Sequence, residues 1–124
     1  MDDLDRLFGP RPSPHDRYVY EFAPVRTIDG DTIVADIDLG FEAILHNQAI
    51  RLLGIQCVER SERVAWDKAR NRVIELLAGG ETFLIRTIYD KRGSFKRILA
   101  IVWIDGICLN RRLVEEGHAV LWGI

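Results

Sequence analysis

The feature that most constrains this chain is a change of hydrophobic period partway along it. "TIVADIDLG" (32–40) alternates, with Ile33, Ala35, Ile37 and Leu39 on one face and Asp36 and Asp38 on the other, the mark of a half-buried strand. "SERVAWDKARNRVIELLAGG" (61–80) does not alternate. Ala65, Ala69, Val73, Leu76 and Leu77 recur at helical spacing, with Ser61 placed as an N-cap and Gly79-Gly80 as a stop. Extended segments surround this helix. "RYVYEFAPVRTI" (17–28) is aromatic and β-branched, with Pro24 predicting a bulge or an edge. Asp29-Gly30 is a turn, and "FEAILHNQAIRLLGI" (41–55) is long enough for one strand ending at Ile55. "ETFLIRTIY" and "RILAIVWI" give two more strands, and "CLNRRLVEEGHA" a short helix ending at Gly117. Three strands, a helix, two strands and a helix predict an α+β, mainly β domain, a five-stranded OB-fold-like barrel with two helices.

With 124 residues the chain has room for one such domain, expected over residues 17–124. Residues 1–16, acidic and then broken by Pro10, Pro12 and Pro14, predict a flexible tail. No apolar run suits a membrane span and the N-terminus does not resemble a secretory signal, so an intracellular setting with no membrane is expected. On the same ground Cys57 and Cys108 are expected to be free thiols.

Net charge is −2, which argues against a general polyanion binder, but the charge is unevenly spread. Residues 1–50 carry 4 Arg against 10 Asp/Glu, whereas residues 51–97 carry 11 Lys/Arg against 6 Asp/Glu. Within the basic stretch, "RLLGIQCVE" (51–59) opens a core strand with Arg51 and ends on Glu59. A guanidinium near a core needs a partner, either a structural carboxylate or a bound anion such as phosphate. Glu59 alone would serve as a helix-start acid, "DGDT" (29–32) as a hairpin turn, and Arg97 as a surface arginine. Taken in order, a turn carboxylate, a strand arginine, a carboxylate eight residues on and a second arginine form an inventory for phosphodiester hydrolysis.

At these residues the sequence resembles the thermonuclease (staphylococcal nuclease-like) family. The resemblance lies in "VRTIDGDTI" (25–33), "RLLGIQCVE" (51–59), "DKRGSFKRILAIVW" (90–103) and "DGICLNRRLVEEGHA" (105–119), in that order. It implies an OB-like barrel and a Ca²⁺-dependent nuclease, with Mg²⁺ or Mn²⁺ as substitutes, cutting single-stranded DNA or RNA with little sequence preference. It implies no small-molecule cofactor. Carried over by position, Asp31 becomes a metal ligand, Arg51 and Arg97 contact phosphate, and Glu59 activates water. Lys91, Phe95 and Lys96 fall beside the substrate, Phe95 where the family usually has a tyrosine. Gln56 stands at the second metal-binding aspartate, Cys57 at a residue that lends its backbone carbonyl, and Val58 at a proline. Glutamine keeps an oxygen donor but gives up one negative charge, so weakened Ca²⁺ binding is expected. The alternatives are a catalytically lapsed OB-type module binding nucleic acid or a protein, and a purely structural domain. Trp122 is expected to pack in the core, and His15, His46 and His118 to take no part in catalysis.

Overall fold

The computed structural model describes residues 2–88 and 97–123, with Arg97 described by its backbone alone. Strand β1 (Val19–Asp29) turns at Gly30 into β2 (Thr32–Gly40), which turns again into β3 (Ala43–Leu52). After the short β4 (Ile55–Cys57) come helix α2 (Arg63–Ala78), β5 (Phe83–Ile88) and β6 (Arg97–Ile104). The chain closes with β7 (Ile107–Cys108), α3 (Leu109–Glu115) and β8 (Ala119–Leu121). Strands run in the order β3-β2-β1-β5-β6, and β3 pairs in parallel with β6, Ala49 against Arg97 through Leu52 against Ala100. That seam closes a mixed five-stranded barrel of OB type.

The alternating strand fills the barrel as expected from Ile33 to Ile37, and α2 adds Ala69, Val73 and Leu77 to the same core. The bulge expected at Pro24 is present as a register shift between Pro24 and Arg26. Leu39 departs from the expected apolar face. It stands exposed with Ile44 and Leu45, because β2 and β3 run on past the barrel as a hairpin with no sheet behind it. No helix among the described residues is long and apolar enough to cross a membrane.

Three further expectations are corrected. Residues 1–16 are not simply a tail, because Asp3–Phe8 form a helix, α1, that joins the two expected helices. Its end is fixed by a reciprocal cap between Asp2 and Asp5, and Phe8 is 1% exposed in the core, with Leu4 and Leu7 packed against it. Arg111 on α3 pairs with Asp2 at 3.0 Å and also with Asp5, which holds α1 against α3. The second correction concerns α2, which starts at Arg63. Its N-cap is Glu62, with no side-chain capping bond, instead of Ser61. Third, β3 does not run to Ile55. It ends at Leu52, and Gly54 takes φ +77°, a left-handed conformation that only glycine adopts without strain. A side chain there would also press on Leu7 and Phe8 of α1.

Candidate functional site

The break at Gly54 makes the site. A continuous strand would carry Arg51 and Gln56 apart, whereas the turn folds β4 back across β3 so that the two side chains meet. The Arg51 guanidinium donates to the Leu52 carbonyl at 2.7 Å, the Ile55 carbonyl at 2.8 Å and Gln56 Oε1 at 2.8 Å. Three of its five N–H donors are thus taken by its own chain, leaving two for an incoming anion. The turn is itself anchored from outside, with Leu53 N–H donating to the Ala100 carbonyl and Trp122 N–H to the Gly54 carbonyl.

Asp31 reaches the same place from the first turn. Its backbone carbonyl accepts from Leu52 N–H, tying the Asp29–Asp31 turn to the end of β3. Its carboxylate accepts from Cys57 N–H at 3.0 Å and from the Thr32 hydroxyl at 3.2 Å, and Arg51 Nη2 lies 3.6 Å from it. Arg51 and Asp31 are almost buried, with side chains 13% and 10% exposed. Gly30 permits this close packing, since a Cβ there would sit 2.7 Å from Cys57 Sγ and 2.9 Å from Ala69. Cys57 is unpaired, as is Cys108. Burial first, then the Asp31 and Asp29 carboxylates, push the Cys57 thiol up to about 12. Without a metal the thiol stays protonated at neutral pH, and the oxygen donor that Cys57 offers a hard cation is its backbone carbonyl.

Asp31, Arg51, Gln56, Cys57 and Glu59 line one cavity of about 680 Å³ together with Asp29. Glu59 is exposed at its edge. Arg97 opens β6 opposite Ala49, and its side chain, like Lys91, Phe95 and Lys96, lies outside the described residues. The structure adds two residues to the expected set. Asp29 is more than a turn former: its carboxylate accepts from Asp31 N–H at 3.1 Å and faces the cavity. The presence of two acids in "DGDT" was the available signal. Trp122 is corrected from core to site. It is 55% exposed, and the Arg51 guanidinium stacks 5.7 Å from its ring centre. Nothing in an apolar C-terminal stretch marks such a residue as cavity lining.

Burial, then the neighbouring Asp31, raise the Asp29 carboxyl from 3.8 to about 6. Two crowded carboxylates with a glutamine oxygen and a backbone carbonyl are hard donors that suit a divalent cation. Among the described residues no three Asp, Glu, His or Cys side chains are placed to hold a metal together, so the set carries little charge for that task. A carboxyl whose folded pKa is raised weakens the fold as pH rises from about 4 through about 6. Asp29→Asn keeps the acceptor for Asp31 N–H and removes the charge. It is expected to raise stability at pH 7 by about 1–2 kcal/mol, with the gain fading towards pH 4. Urea titrations across that range check this, and a gain that persists unchanged at pH 4 would contradict it.

A scan against protein-family models finds no match to this chain, and no curated protein matches it.

Proposed function

We propose that this protein is a small metal-dependent phosphodiesterase that cuts DNA or RNA strands, of the thermonuclease kind that its sequence resembles. One observation carries the reading: a turn carboxylate, a nearly buried arginine and an exposed glutamate from separate parts of the chain line the same cavity. Arg51 would grip a non-bridging phosphate oxygen through its two remaining N–H donors and stabilise the charge that builds on phosphorus. Glu59, exposed at the cavity edge, would orient or deprotonate the attacking water. Trp122 would hold the arginine plane and limit its motion. Asp31 and Asp29, with Gln56 Oε1 and the Cys57 carbonyl, are the groups that would hold Ca²⁺ or Mg²⁺. A bound cation would add positive charge beside the phosphate.

Single-stranded DNA and RNA incubated with Ca²⁺, Mg²⁺, Mn²⁺ or chelator test this directly. Cleavage is expected with metal only, and Glu59→Gln is expected to lower it about 10²–10⁴-fold. No cleavage in any metal, or an unaltered Glu59→Gln variant, would sink the proposal.

A second reading, a binding module that no longer cuts, is favoured by the Gln56–Arg51 hydrogen bond. That amide oxygen is engaged by the arginine, so a cation would have to share it. Gln56→Asp supplies the missing charge and is expected to tighten Ca²⁺ binding about tenfold by calorimetry, with more activity at low metal. An unchanged affinity would place Gln56 outside the metal shell and favour the binding module.

A further inference from the structure

Beside the cavity, the turn that enters α2 and the first half of that helix carry a concentration of positive charge that the catalytic roles proposed for the cavity leave unused. The guanidiniums of Arg60, Arg63 and Arg70 lie 4.8, 5.5 and 5.9 Å from the ring centre of Trp66. Trp66 is 8% exposed, and both it and Arg60 line the cavity wall. Three cations gathered on one indole repel each other, and they do so in a chain whose net charge is −2.

Internal pairing does little to relieve that repulsion. Arg70 donates to the Thr27 carbonyl, and Arg63 lies 3.6 Å from Asp67. Among the described residues Arg60 has no ion pair, and Glu59 and Glu62 pair with none of the three arginines. At the helix start the N-cap Glu62 makes no side-chain capping bond and the first turn of α2 has no acidic residue, so Glu62 is the one carboxylate set against both the helix end and the arginines beside it. Planar, weakly hydrated guanidiniums held on an aromatic ring are suited to phosphate, because the ring fixes their plane while their N–H edges stay available.

We propose that Arg60, Arg63 and Arg70, stacked on Trp66, form a docking bank for the phosphate backbone of a single-stranded nucleic acid that runs into the cavity at Arg51. This rests on the phosphodiesterase reading of the cavity and names where the uncut part of the strand is held. Arg60 and Arg63, the exposed pair, carry most of the contact, and Arg70 is partly committed to Thr27. Contacts of this kind ignore base identity, which suits a site with low sequence preference.

The test is the salt dependence of binding. A short fluorescent single strand of mixed sequence is titrated with the full chain in chelator, so that nothing is cut, over a range of NaCl concentrations. Two released counterions predict that Arg60→Gln/Arg63→Gln flattens the slope of log K against log salt by about 1.4, and weakens binding roughly 20-fold near 0.1 M salt. Glutamine keeps enough stem to cover Trp66, and unchanged thermal melting confirms the fold. Arg60→Lys/Arg63→Lys retains the charge and is expected to restore the slope. If the wild type binds with a slope that the glutamine pair leaves unchanged, the bank is refuted and the cavity reading stands. If the wild type shows no salt-dependent binding to any single strand, the bank is refuted, and the cavity reading is judged separately by cleavage with metal. Polyglutamate bound as tightly as the oligonucleotide would assign the bank to an acidic protein partner and overturn the proposal.

Discussion

Asn110→Ala should cost about 3–5 kcal/mol of folding stability, more than its one lost side chain suggests. Asn110 on α3 is 0% exposed, and it is the hub of a buried polar cluster. Its Oδ1 accepts from Val102 N–H at 3.0 Å, and its Nδ2 donates to the carbonyls of Leu53 and Ala100 at 2.9 and 3.3 Å. Alanine removes the side-chain partner of all three. The Ala100 carbonyl keeps the Leu53 N–H, while the buried Val102 N–H and the part-buried Leu53 carbonyl lose theirs at about 1–3 kcal/mol each, to which the cavity left by the side chain adds. Leucine fills the space but leaves the Val102 N–H and the Leu53 carbonyl without that partner, and should be about as costly. Leu53 belongs to the turn that folds Arg51 towards Gln56, so ligand binding at the cavity should weaken along with the fold. Urea unfolding with an unchanged m-value is the measurement. A loss below about 1 kcal/mol would show that the cluster is redundant.

The second large effect is expected at Arg51, where sequence alone left open a structural partner or a bound anion. Residues kept only to grip a ligand often weaken the fold, and removing them stabilises it. Arg51 should behave in the opposite way. Arg51→Met keeps the apolar stem but strips hydrogen bonds from the Leu52 and Ile55 carbonyls and from Gln56 Oε1. Among the described residues it also leaves Asp31 with the Cys57 amide and Thr32 hydroxyl alone to stabilise its charge. A loss of about 2–3 kcal/mol is expected from those unpaired groups. Cleavage should fall by about 10²–10³-fold, the usual effect of removing one donor from a developing oxyanion. Thermal melting and strand-cleavage rates measured on the same preparation separate the two roles. A variant more stable than the wild type would make Arg51 a ligand-gripping residue alone.

What could be read from the sequence was the part governed by local pattern. The period change marked α2, the alternation from Ile33 to Ile37 marked a core face, and Asp29-Gly30 marked a turn that the chain takes. The five residues expected between Asp31 and Glu59 do share a cavity. The misses have a common cause, which is that long-range contacts decided them. Six residues are too few to show a period, and α1 exists because Phe8 finds the core and Arg111 finds Asp2 and Asp5. "RLLGI" has the composition of an unbroken strand, yet a bend at Gly54 is held by α3, β6 and the C-terminal segment. Trp122 has the composition of a core residue, but its place is set by Arg51 and by its own amide bonding to Gly54.

The parallel seam between β3 and β6 sets the order in which the site can assemble. Arg51 is registered against Leu99, so its strand finds this neighbour only after the intervening helix and hairpin have been gathered in. Closing so long a loop is the entropically slow event in folding a small barrel, and the local hairpin of β1 and β2 forms well before it. The turn that carries Asp29 and Asp31 therefore forms early together with Arg51, which β3 registers against Thr32 of β2, and what arrives with the last closure is β6, whose Ala100 carbonyl anchors the turn at Leu53. A partly folded chain would already set the acids beside Arg51, but would lack the β6 anchor that holds the Leu53–Gly54 bend against them.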